Sequence, residues 1–77
     1  MEVNILSFGS LTEVLPSGKV MEDFLADTDA LKECLIAKYP LLANRKFMLA
    51  VNKKMIQSNT TLYSGDVVAV LPPFSGG

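Results

Sequence analysis

The chain has 77 residues, enough for one domain core and no second. With 49% hydrophobic and 19% charged residues it can fill a core without metal or disulfide, and the excess predicts an apolar surface patch left for a partner. One cysteine, no histidine and a net charge of -1 exclude a disulfide framework, argue against a zinc site, and predict that nucleic acid is not a partner. The opening Met1-Glu2-Val3-Asn4-Ile5 has no basic-then-apolar leader pattern, and no apolar run approaches the ~20 residues of a membrane span. The expectation is a cytoplasmic protein that does not bind membranes.

In chain order, Val3 to Phe8 is rich in strand formers and runs into Gly9. Pro16-Ser17-Gly18 signals a turn before a second strand over Lys19 to Leu25, which together make a hairpin. Thr28-Asp29-Ala30 reads as a helix start, with Thr28 as the cap and Asp29 well placed for the helix dipole. That helix ends near Tyr39, before Pro40, and Ala30, Leu31, Cys34, Leu35 and Tyr39 share the face that would cover a sheet. Lys38 falls on the same face and would have to snorkel.

Phe47-Met48-Leu49-Ala50-Val51 has strand length, and Asn52-Lys53-Lys54 turns it into a short strand around Met55-Ile56. Gln57 to Tyr63 is polar and irregular. Ser64-Gly65-Asp66 then leads into Val67-Val68-Ala69-Val70-Leu71, apolar on both faces as an interior strand would be, and Pro72-Pro73 stops it. The order β-β-α-β-β predicts an α+β fold, a sheet covered on one face by one main helix.

Charge is uneven: residues 1–33 hold seven acids and two bases, residues 34–77 five bases and one acid, so the halves carry about -5 and +4. Solvated faces explain this; a sharper reading has Arg45, Lys46, Lys53 and Lys54 helping to orient the C-terminal tail on an acidic partner. Side-chain catalysis is improbable. There is no histidine and no glycine-rich phosphate loop, Cys34 lies on the core-facing stripe as a buried inert thiol, and no base is visible for Ser7 or Ser10.

The segment Phe74-Ser75-Gly76-Gly77 remains. A terminal glycine pair is a weak motif alone, but a double proline before it stiffens the exit, and four residues beyond can project roughly 13 Å. Glycines at the tip suit a narrow cleft, and the reactive group at such a tip is the α-carboxylate, a poor electrophile until activated, for example by ATP-dependent adenylation.

Leu62 to Gly77, with Ala50-Val51-Asn52 before it, resembles the MoaD-like sulfur carriers of the β-grasp (ubiquitin-like) superfamily, the small subunits of molybdopterin synthase. The resemblance implies a mixed sheet with one main helix packed on one face, a β-grasp domain over 1–73 and a projecting tail over 74–77. It implies that Gly77 is adenylated by a ubiquitin-activating-type enzyme using ATP, then converted to a thiocarboxylate by a sulfur donor protein. The large synthase subunit would take in the tail, and sulfur would go to a pterin precursor to build the dithiolene of molybdopterin. Gly76 would be the slim spacer, Phe74 and Ser75 the gripped segment, Pro72 and Pro73 the exit, and Lys53 and Lys54 further partner contacts. The chain itself would bind no cofactor or metal and would be a non-catalytic subunit. Ser7-Phe8-Gly9-Ser10 departs from the usual end of the family's first strand. A thiamin-pathway (thiazole) carrier shares the Gly-Gly end but usually lacks the Pro-Pro; a non-conjugating β-grasp interaction module is the alternative from another class.

Overall fold

A computed structural model describes residues 1–23 and 25–73. Phe24, inside the expected second strand, and the tail residues Phe74, Ser75, Gly76 and Gly77 lie outside the described residues. Five strands and one α-helix follow one another as β1 (Glu2–Ser7), β2 (Gly18–Met21), α1 (Thr28–Lys38), β3 (Met48–Val51), β4 (Lys54–Met55) and β5 (Val67–Leu71). The sheet order is β2-β1-β5-β3-β4, with β5 parallel to β1 and the other pairs antiparallel, a mixed sheet whose centre is β5.

Alternation along the strands decides which side is core. Val3 and Ile5 of β1, Leu49 and Val51 of β3, and Val68 and Val70 of β5 are buried on one face. They meet Leu31 and Leu35 of α1, with Leu11, Leu15, Leu25, Leu42 and Leu62 sealing the ends of the same cluster. At ~25 cal/mol per Å2 of apolar area, each such leucine contributes roughly 2 kcal/mol, which is how a short chain holds together without cross-links.

Local chemistry explains the joints. Asn52 and Lys53 both have positive φ, 49° and 73°, and are the two loop residues between β3 and β4 that a tight hairpin following the strand twist requires. Asn52 then ties that hairpin to β5. Its Nδ2 donates to Asp66 Oδ1 at 3.0 Å, its Oδ1 accepts from the Val67 N–H at 2.9 Å, and Asp66 Oδ2 accepts from the Tyr63 N–H at 2.8 Å. Gly65, at φ 93°, makes the turn into β5.

The helix starts differently from the expectation. Asp27 is the cap, accepting from the Ala30 N–H at 2.9 Å, whereas Thr28 is buried and its Oγ1 accepts from the Thr60 N–H at 2.9 Å. The polar loop 57–61 is therefore a tether for α1, with Asn59 Oδ1 taking the Asp29 N–H at 2.9 Å. On the predicted helix stripe Leu31 and Leu35 are buried, but Ala30, Cys34 and Tyr39 are only half-buried, and Lys38 stays exposed and pairs with Glu22 at 3.4 Å. Strand β2 is also shorter than the expected Lys19 to Leu25, and two 3-10 turns, Gly9–Glu13 and Pro40–Asn44, occupy stretches to which the sequence reading assigned no element.

Candidate functional site

Because α1 covers one face of the sheet, the outward half of each strand forms a second surface. Ladder register places Leu6, Ala69, Ala50 and Met55 in one row across β1, β5, β3 and β4 on that side. Leu6 is 43% exposed and Phe8 45%, large values for such side chains. With Val67, Ala69, Asn52 and Lys53 they line an almost wholly apolar hollow of about 390 Å3, whose floor includes the small Ala69. Lys53 stands at this hollow, whereas Lys54, exposed in edge strand β4, is in register with Val51 and so belongs to the opposite side of the sheet.

Strand β5 runs through the middle of this face and delivers the chain to Pro72 and Pro73. The Phe8 N–H donates to Val70 O at 3.1 Å, carrying the β1·β5 pairing to the last residues before the prolines. Pro72 is half-buried beside Gly9, and Pro73 is exposed. The structure thus places Lys53 beside Asn52 at the start of β5 and Pro72 and Pro73 beyond its end, so it does not bring them together, while the expected working residues Phe74, Ser75, Gly76 and Gly77 lie outside the described residues.

Other candidates recede. Cys34 is half-buried rather than buried; partial burial, then the negative field of Glu22, whose Oε1 lies 3.8 Å from Sγ, push its thiol up, and this outweighs the opposing effect of Lys38. It is a poor nucleophile at neutral pH. Arg45, expected to face a partner, is engaged with Glu13 Oε2 and Ser10 O, both at 3.4 Å. Among the described residues no cluster of three or more His, Cys, Asp or Glu could hold a metal ion, and no helix is long and apolar enough to cross a membrane.

An apolar patch for a partner was expected from composition, but the residues that form it, Leu6, Phe8, Val67 and Ala69, were not named from the sequence. Its signal was present: a strand apolar on both faces, in a sheet with only one helix to cover it, leaves one apolar face uncovered.

Residues 5–77 match the ThiS family. A molybdopterin synthase sulfur carrier subunit from Mycobacterium tuberculosis is 33% identical over 82 aligned residues, covering 100% of this chain and 99% of the relative. A chain of a protein-protein complex of subunits 1 and 2 of the molybdopterin-converting factor from Helicobacter pylori superposes with a TM-score of 0.75 at 28% identity, over 100% of both chains. A Pyrococcus furiosus protein assigned as subunit 1 of a molybdopterin converting factor has a TM-score of 0.86, covering 96% of this chain and 99% of its own; at 19% identity it speaks for the fold alone, a ubiquitin-like β-grasp. The chain belongs to the ThiS family and is a homologue of the small, sulfur-carrying subunit of molybdopterin synthase.

Proposed function

We propose that this chain carries sulfur as a thiocarboxylate on Gly77 and donates it for the dithiolene of molybdopterin, as the small subunit of molybdopterin synthase. The observation that supports this most is the family match reaching Gly77, on a core whose central strand hands the chain over at Pro72. A glycine carboxylate attacks the α-phosphorus of ATP, releasing pyrophosphate and leaving an acyl adenylate. Persulfide sulfur from a donor protein then displaces AMP, and reduction of the resulting acyl disulfide by a thiol releases the thiocarboxylate. That group is ionised at neutral pH and is a better nucleophile than a carboxylate, so it attacks a pterin carbon without a base on this subunit. Catalytic side chains belong to the large subunit in this reading, and ATP to the activating enzyme.

The molybdopterin branch is favoured over the thiazole branch by Pro72-Pro73 and by the 33% identical relative. The apolar hollow beside Phe8 supports docking of a large subunit there, with Phe74 joining it and Lys53 and Lys54 aiding encounter. The test is intact-mass measurement after incubation with ATP, the activating enzyme and a sulfur donor. One sulfur in place of one oxygen, lost on addition of large subunit and pterin precursor, is the expected result. Free carboxylate alone after loading overturns the carrier reading; loading without transfer to the pterin overturns the molybdopterin assignment.

A further inference from the structure

Gly9 opens the 3-10 turn after β1 with φ at 61°, and it faces the point where the chain leaves the sheet. A Cβ built on it would lie 3.1 Å from Pro72 Cγ and 3.5 Å from Pro72 Cδ. The first distance is closer than ordinary van der Waals contact, so Pro72 occupies a notch that exists because residue 9 has no side chain. Gly18 and Gly65 show no such neighbour within 4 Å. The walls of the notch are held from several directions: the Phe8 N–H on Val70 O at 3.1 Å, the Leu11 N–H on Phe8 O at 3.2 Å, Thr12 Oγ1 on Gly9 O at 2.9 Å, and Arg45 Nη1 on Ser10 O at 3.4 Å.

We infer that Gly9 is a positioning residue: by seating the Pro72 ring it sets the direction in which the segment from Pro73 to Gly77 leaves the sheet. This rests on the tail chemistry proposed above. A proline fixes its own φ, so whatever part of a displacement of its ring is not taken up by the pucker at Cγ turns the chain that follows. Five residues reach about 16 Å, and a tilt of about 10° at their base moves the tip by about 3 Å. Misplacing a reacting group by ~1 Å is enough to cost up to about a hundredfold in rate.

The test uses Gly9→Asn, since asparagine tolerates the left-handed backbone and adds the Cβ, and Gly9→Ala beside it. Each is made with Pro72 retained and with Pro72→Ala, which removes the Cγ and Cδ that the new Cβ would meet. A nitroxide on Ser75→Cys, in a Cys34→Ala background, reports the tail's direction through broadening of domain amide signals. Unlabelled variants are assayed for pyrophosphate release with ATP and the activating enzyme. With Pro72 in place, Gly9→Asn is expected to move the broadening pattern and lower kcat/KM about tenfold or more. With Pro72→Ala the further effect of Gly9→Asn should fall below about twofold, the non-additivity of residues in contact. Pro72→Ala alone, which leaves residue 9 untouched, should disperse the pattern. An unmoved pattern in Gly9→Asn, an equal effect in both backgrounds, or no change in Pro72→Ala alone overturns the inference. Failure of the unmodified chain to be adenylated overturns the proposed tail chemistry instead, and the broadening pattern still decides the role of Gly9.

Discussion

Ser7 points from β1 toward the core at 9% exposure, and its Oγ is buried with no hydrogen-bond partner among the described residues. Its backbone is better served, since the Ser7 N–H donates to Ser17 Oγ at 2.9 Å and pins the start of the hairpin return. A hydroxyl desolvated without a partner costs about 1–3 kcal/mol relative to one that is paired, whereas a methyl group in the same place costs nothing of the kind. Ser7→Ala should therefore raise the unfolding free energy by up to about 1 kcal/mol, read from the midpoint of urea denaturation at unchanged slope. A loss of more than about 0.5 kcal/mol would mean that the hydroxyl has a bonding role. Reading the sequence, Ser7 was weighed only as a nucleophile without a base; the strand's alternation places it among Val3, Ile5 and Val70, where its packing matters and its chemistry does not.

At the scale of elements, the start of α1 shows what a local reading can and cannot supply. Asp27 caps the helix, and the Ala30 N–H first, then the Asn59 side chain, hold its carboxyl below the usual carboxylate range. A carboxyl whose folded pKa is depressed adds stability that is fully present above its unfolded value near 4 and is lost as pH falls through the folded value. Asp27→Asn keeps an acceptor at the cap but has no proton to gain. Its thermal midpoint should therefore fall less steeply than that of the unmodified protein as pH drops below the unfolded carboxylate value near 4, while Asp27→Ala should be less stable at neutral pH as well. Equal acid slopes for the unmodified protein and Asp27→Asn would show that the cap carries no linked proton. The sequence made Thr28 the cap because a threonine before an acidic first turn fits that role locally. What it lacked was the distant Asn59-Thr60 segment, which takes Thr28 into the interior. The same distinction runs through the chain: β1, β5 and the Asn52-Lys53 turn were legible from strand formers and turn residues, as was the end of α1 near Tyr39. The shortened β2 and the two 3-10 turns depend on contacts between remote segments and were not legible.

For the whole molecule, the decisive feature is one helix covering one face of a five-stranded sheet whose central strand is apolar on both. Folding buries Val68 and Val70 beneath α1 and leaves Val67 and Ala69 on the other side, where Leu6 and Phe8 flank them. The role expected of the tail rests on the sequence alone, whereas the residues of the open face became legible only once the strand order was known. Large aromatic side chains around a hollow with small residues in it are the usual anchors of a protein interface. If the proposed large subunit docks here, Phe8→Ala should weaken the complex by about 2 kcal/mol, mainly through faster dissociation, and Phe74→Ala should do likewise. Phe8 is 45% exposed, so its truncation should cost the free domain less than about 1 kcal/mol, which separates a binding effect from unfolding. Reversing the charge at Lys53 and Lys54 acts on a different step. Exposed charges act on encounter at a distance, Lys53 from the hollow itself and Lys54 from the far side of the same turn, so association should slow at low salt and the difference should shrink as salt is raised, with dissociation little changed. Unchanged affinity and dissociation for both Phe8→Ala and Phe74→Ala would remove the open face from the interface and leave the tail alone to hold the partner.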